Sequence, residues 1–211
     1  ERSEDPCLLL TADTHAGGSH EQYREYLDAK YRQTFDDWRG GYKNPAQQHY
    51  GTKKMKNWDL EIRSNDQNGQ GVVGEVVFPN TVPPFYRKSI VTTQPPRPED
   101  FELALAGIRA HNRWLAEFCS RNPVRHFGVA VVPLLWDVEE AVKEARWAAE
   151  NGLRGVMIPV ITSGFNAYHH PSYDPFWEAC QDLGLVVCFH SGPGPMDDFF
   201  GSEFPMGDVS E

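Results

Sequence analysis

Positive charge is scarce in this 211-residue sequence: 20 lysines and arginines face 30 aspartates and glutamates, a formal net charge of -10. No basic run is interleaved with aromatics, so a nucleic-acid partner is not expected. Long hydrophobic runs are missing too. None approaches the roughly 20 residues that cross a bilayer, and the opening stretch ERSEDPCLLL is acidic where a signal peptide would be basic. A cytoplasmic protein without membrane contact is the expectation. Cysteine is sparse, at four residues, and none stands in a CxxC pair, which removes the usual thiol signature of a zinc or redox site. Cys119, Cys180 and Cys188 fall inside apolar patterns, where a reduced thiol packs as a small hydrophobe. Internal repeats and low-complexity linkers are also lacking, so residues 1–211 are read as one domain.

What is present suffices for a core: 40 % hydrophobic residues, with six Trp and twelve Phe. The second half is the more legible. HFGVAVVPL, GVMIPV and LVVCFHSG read as strands. Between the first two lies WDVEEAVKEARWAAENG, with Asp137 as N-cap, Glu140 three positions on and Asn151-Gly152 as the stop. Between the second and third, YDPFWEACQDLG predicts a helix capped by Asp174, with Pro175 in its first position and Gly184 at its end. Upstream, GVVGEVVFPN predicts another strand after a polar, weakly patterned stretch, and EDFELALAGIRAHNRWLAEFCSRN a long amphipathic helix. The first strand is expected over Leu8 to Ala12, followed by a helix from about Ser19, which forms a capping box with Gln22. Five βα units result. Their nearly all-apolar strands, about thirty residues apart, predict a parallel sheet covered on both sides. Loop insertions are expected over about 36–58 and 79–98, on the catalytic side of the sheet.

Parallel α/β folds gather reactive groups at the carboxyl ends of their strands. Asp13 and His15, in LLLTADTHAGGSH, stand there for the first strand, and two residues apart on extended backbone they share a face. His190, in CFHSGPGP, stands at the end of the fifth. One carboxylate and two imidazoles suit Zn, Mn or Fe as divalent ions. Asp-Thr-His equally fits a strand-ending turn, and His190 a hydrogen-bonded structural imidazole. His169 and His170 precede a helix as loop residues within reach of a substrate, and Asn80 can donate to a substrate oxygen or satisfy the turn after Pro79. His20 and His49 are expected in solvent, His111 and His126 at helix or strand boundaries. Glu75 is the one acid in an apolar strand. A buried carboxylate needs a partner, so it belongs either to the barrel interior or to support behind the site. Arg39, Lys53, Lys54 and Arg87 are loop cations, solvated or facing an acidic substrate.

Taken together, ADTHAGG, GEVVFPN, AHNRWLAEFC, GLRGVMIP and YDPFWEACQDLGLVVCFHSG resemble the amidohydrolase superfamily, specifically the branch called amidohydrolase family 2. The likeness runs across nearly the whole chain. It implies a distorted (β/α)8 TIM-type barrel with a divalent ion at its C-terminal mouth, of which this chain supplies five strands. In decarboxylases of the branch a carboxylate replaces the first histidine of a His-x-His pair. Asp13 and His15 match that pair, and His190 matches the histidine at the end of strand five. A further acidic ligand, on a late strand, has no counterpart here. Since such a barrel takes about 250 residues, the resemblance also implies either that the chain is a fragment of a longer one or that a second polypeptide, a companion half-barrel or another copy, completes it. The expected activity is metal-dependent hydrolysis or non-oxidative decarboxylation of a small, carboxylate-bearing molecule. Two alternatives stay open: a nonheme iron oxygenase, with one or two irons, and a non-catalytic half-barrel that supports a partner.

Overall fold

The computed structural model describes residues 8–41, 56–79, 82–86, 95–161 and 164–190. Five strands, β1 (Leu9–Ala16), β2 (Val72–Pro79), β3 (His126–Val131), β4 (Gly155–Ile158) and β5 (Val186–Phe189), run parallel in the order β1-β2-β3-β4-β5. The connections carry α1 (His20–Tyr26), α2 (Ala29–Gly41) and α3 (Leu60–Gln70) before β2, then α4 (Phe101–Ser120), α5 (Val138–Glu150) and α6 (Asp174–Leu183) before β3, β4 and β5. Neighbouring strands lie about 4.8 Å apart, so in a flat sheet β1 and β5 would be separated by about 19 Å. Instead, the Nε2 atoms of His15 on β1 and His190 just past β5 are 3.2 Å apart. The sheet therefore curls, and the five strands form part of a (β/α) barrel.

Alternation along each strand sorts side chains between two layers. On the helix side, Ala16, Val77, Ala130, Val156 and Ile158 pack against Trp114, Leu115 and Phe118 of α4, Ala141 and Ala145 of α5 and Phe176 of α6. The concave side gathers Phe78, Val129, Val131 and Met157, with Val76 and Cys188 against them. Asn112 of α4 fastens the two layers by taking the place of a strand residue: its amide nitrogen donates to the Val131 carbonyl and its amide oxygen accepts from the Val131 N–H, each at 2.9 Å. Burial drives the Cys119 thiol up to about 12 and the Cys180 thiol up to about 11. Both stay protonated, as packing thiols should.

Local signals explain the elements. Ser19 and Gln22 form the expected capping box, Asp137 accepts from the Glu140 N–H, and Gly184 closes α6 in the left-handed region at φ 64°. Several expectations are corrected. β1 runs on to Ala16, so Asp13 and His15 lie within the strand and not beyond it. α6 begins at Asp174, because a 3-10 turn over Pro171–Tyr173 already sets helical backbone and moves the cap to Tyr173. The polar stretch before β2 is helix α3, capped by Asp59, whose side chain accepts from the Glu61 and Ile62 N–H groups, and stopped by left-handed Gly71. The insertion expected from 36 is helical to Gly41, while 42–55 lie outside the described residues. The sheet is not covered evenly. Leu9 and Leu10 on β1 and Val186 and Phe189 on β5 are exposed, since each edge strand has a neighbour on one side only among the described residues. No helix among the described residues is long and apolar enough to cross a membrane.

Candidate metal centre

β1 and β2 do not pair evenly. Thr11 is opposite Glu75 and Thr14 opposite Val77, so three steps on β1 match two on β2. The extra residue makes a bulge over Ala12 and Asp13, a device that re-aims side chains beside functional sites. From the bulge onward Asp13 and His15 point to the concave side, where His190 meets them from the far edge of the sheet. The Asp13 Oδ1 atom is 3.4 Å from His15 Nε2 and 3.5 Å from His190 Nε2, and the two imidazole nitrogens are 3.2 Å apart. Among the described residues these three form a group of potential metal ligands.

The donor set suits a divalent ion. An ion bound about 2.1 Å from each donor requires edges of about 3.4 Å in a tetrahedron and about 3.0 Å in an octahedron. The observed edges fall in that interval or within about 0.1 Å of it. Orientation agrees as well: His15 Nδ1–H donates to the Pro79 carbonyl at 2.9 Å, which leaves the Nε2 lone pair directed at the cluster. The Phe78 ring flanks both imidazoles, with centroids 5.1 Å from His190 and 6.1 Å from His15. It gives the centre one apolar wall, while the Asp13 side chain is 76 % exposed on the open side.

Behind the bulge, facing the helices, lies a buried charge network. Glu75 is 1 % exposed. It accepts from Arg63 Nε at 2.8 Å and Nη2 at 2.6 Å, from His126 Nδ1 at 2.7 Å and from the Thr14 hydroxyl at 2.8 Å. Burial by itself would raise the Glu75 pKa. The bonds from His126 and Arg63 more than reverse this and hold it at about 2. Glu75 is thus not part of the barrel interior, because its strand position directs it to the helix layer. Sequence reasoning predicted a partner for this acid but missed Arg63, Thr14 and His126. Arg63 sits in the helix that the polar stretch concealed.

The other expected residues fall elsewhere. His170 Nδ1 accepts from the Ser172 N–H at 3.2 Å, which caps the turn before α6, and His169 is exposed beside it. His20 is half-buried and not fully in solvent: it packs on Phe35 and Trp38, at ring-centroid distances of 6.0 and 5.3 Å. His111 lies within α4 and is fully buried, and His126 opens β3. Arg39 pairs with Glu21. Asn80, His49, Lys53, Lys54 and Arg87 lie outside the described residues.

The sequence model of the amidohydrolase family matches residues 90–207, more than half of the chain. The chain belongs to the amidohydrolase family. A curated relative, 2-amino-3-carboxymuconate-6-semialdehyde decarboxylase of Dictyostelium discoideum, is 29 % identical over 133 residues, which are 63 % of this chain and 34 % of the relative. Among solved structures, dihydroxybenzoic acid decarboxylase from Polaromonas sp. JS666, with bound manganese and the inhibitor 2-nitroresorcinol, aligns with a TM-score of 0.60 at 21 % identity, covering 90 % of this chain and 51 % of that one. The 5-carboxyvanillate decarboxylase of Sphingomonas paucimobilis gives 0.61 at 20 % identity, with 93 % and 56 % covered. These likenesses establish the shared fold, and this member of the family spans about half the length of the solved structures it matches.

Proposed function

We propose that this amidohydrolase chain holds one divalent ion through Asp13, His15 and His190 and serves the non-oxidative decarboxylation of a small, carboxylate-bearing molecule. The observation that carries the reading is the convergence of one carboxylate and two imidazoles from opposite edges of the curled sheet, with edges of 3.2 to 3.5 Å. Bound there, the ion would supply Lewis acidity and a point of chelation for the substrate's carboxylate and a neighbouring oxygen. The chain's own contributions are orientation and environment. His15 is held by the Pro79 carbonyl in the tautomer that offers Nε2, Phe78 keeps water from one flank, and Asp13 lowers the net charge of the centre from the open side. The names of the similar proteins favour decarboxylation over hydrolysis.

The chain covers about half of its solved relatives, so the remaining wall of the mouth, and any further acidic ligand, are proposed to come from polypeptide outside the five strands. The mass and composition of the native particle distinguish a longer chain, a companion chain and a second copy. Metal analysis of the purified protein tests the centre: Asp13→Ala and His190→Ala are expected to lose the ion while keeping the fold, and stoichiometric metal in both would refute the reading. Carbon dioxide release from a panel of aromatic and unsaturated carboxylic acids tests the reaction. Two histidines and one carboxylate are also the donor set of nonheme iron oxygenases, so iron accompanied by oxygen uptake would replace decarboxylation with oxygenation. Product formation without carbon dioxide, by water addition, would replace it with hydrolysis.

A further inference from the structure

We infer that Arg63 and Thr14, acting through Glu75, are positioning residues that set the geometry of the metal centre from the opposite face of the sheet; the inference rests on the metal-binding reading above. First, the strand carrying Asp13 and His15 is irregular where they sit, since the bulge over Ala12 and Asp13 removes regular ladder pairing between Thr11 and Thr14. An edge strand with a bulge has little of its own to fix where its side chains point. Second, this is where the buried network takes hold of it. The Thr14 hydroxyl lies 2.8 Å from both the Val76 carbonyl and the Glu75 carboxylate, tying the residue between Asp13 and His15 to β2 by its side chain. Third, Arg63 spans the distance from the carboxylate to the ligand backbone. While Nε and Nη2 form a fork on Glu75, its third nitrogen, Nη1, donates to the His15 carbonyl at 2.9 Å and to the Lys56 carbonyl at 3.1 Å.

Each of the two residues that converge from β1 is therefore adjacent to, or held by, a group locked to one carboxylate. Glu75 is itself fixed by His126 at the start of β3, so the anchor is referred to the central strands rather than to the edge. A planar guanidinium is required, because only its fork can saturate a carboxylate and keep a donor for a carbonyl on another strand. Elsewhere, the fold uses a similar network with no such connection: Glu144 of α5 is buried against Arg109, Arg113 and Asn112 of α4.

The test is Mn(II) affinity, measured on the full chain by titration with detection of free Mn(II) by electron paramagnetic resonance, and the visible spectrum of the Co(II)-loaded protein. Thr14→Val preserves shape and the Arg63–Glu75 pair but removes the hydroxyl, whose single proton is shared between the Glu75 carboxylate and the Val76 carbonyl; Arg63→Lys keeps the charge but loses the fork. Both are expected to weaken Mn(II) by about 10- to 100-fold and to alter the Co(II) bands, whereas Thr14→Ser retains wild-type binding. Glu144→Gln is the comparison for general loosening and is expected to bind Mn(II) normally. Wild-type affinity and spectrum in folded Thr14→Val and Arg63→Lys, alongside loss of metal in His190→Ala, would overturn this inference and leave the metal centre standing. An equal loss in Glu144→Gln would overturn it as well. Unaltered Mn(II) binding in both Asp13→Ala and His190→Ala would instead remove the metal-binding reading, and this inference with it.

Discussion

Acidification below about pH 6.5 should destabilise the protein through His111. This residue is 0 % exposed between α1 and α4. Its Nδ1 is hydrogen-bonded to the Tyr23 hydroxyl at 2.8 Å, while its Nε2 has no partner among the described residues. Burial alone drives its pKa from 6.5 down to about 3, because a charged imidazole there would lose its hydration with nothing in exchange. The unfolded chain binds the proton at the ordinary value and the folded chain does not, so stability falls as the pH drops below 6.5 and the loss levels off near 3. At pH 5, about 1.5 pH units below the ordinary imidazole value, the loss is about 2 kcal/mol relative to pH 8. The assay is urea unfolding at about pH 8, 6.5, 5.5 and 5, comparing the wild type with the double variant Tyr23→Phe/His111→Leu, which removes both hydrogen-bonding partners together. The double variant should lose this part of the pH dependence, whatever its stability at pH 8. Parallel decline of the two proteins between about pH 6.5 and 5 would refute the reasoning. His20, whose pKa burial also lowers, contributes in the same direction and is present in both.

Glu75→Leu leaves the Arg63 cation buried without its counter-charge and should cost about 3 to 5 kcal/mol, whereas Arg63→Met/Glu75→Leu should recover most of that loss, as read by a double-mutant cycle in urea; equal destabilisation in the single and double variants would show that the pair is not the unit. Glu75 also makes the wild type sensitive to acid in a lower window: its stabilisation is present above about 4.5 and lost as the pH falls toward 2, so the double variant should flatten that limb. Gly107, inside α4, should not tolerate alanine. A Cβ there would overlap the Pro84 carbonyl oxygen, which is backbone and cannot swing aside. Gly107→Ala should therefore destabilise by about 1 to 3 kcal/mol, against a helix preference that by itself would stabilise by about 1 kcal/mol. An unchanged or raised urea midpoint would contradict the close approach.

The legible parts of this chain are those governed by short-range rules. Apolar runs of four to eight residues can only be strands when caps and glycines bound them so closely, and Ser19, Asp137 and Gly184 act in the structure as their spacing predicted. Asp13 and His15 share a face for the same reason: extended backbone returns to one side every second residue. Helix α3 escaped notice because its apolar positions are few, and Arg63 and Gln67 occupy its buried face. Periodicity cannot flag a face that is buried through charge.

By itself, then, the sequence determined the parallel run of the strands, the helix ends at Ser19, Asp137 and Gly184 and the presence of a carboxylate and imidazoles near strand ends, because each depends on neighbours a few positions away. Only the tertiary structure decided that His190 meets a residue 175 positions earlier, that a bulge places Asp13 beside it, and that Glu75 faces helices instead of the barrel. Those outcomes depend on how far the sheet curls and on which strand pairs with which, quantities that arise from the packing of all the elements together and are written in no local stretch of the chain.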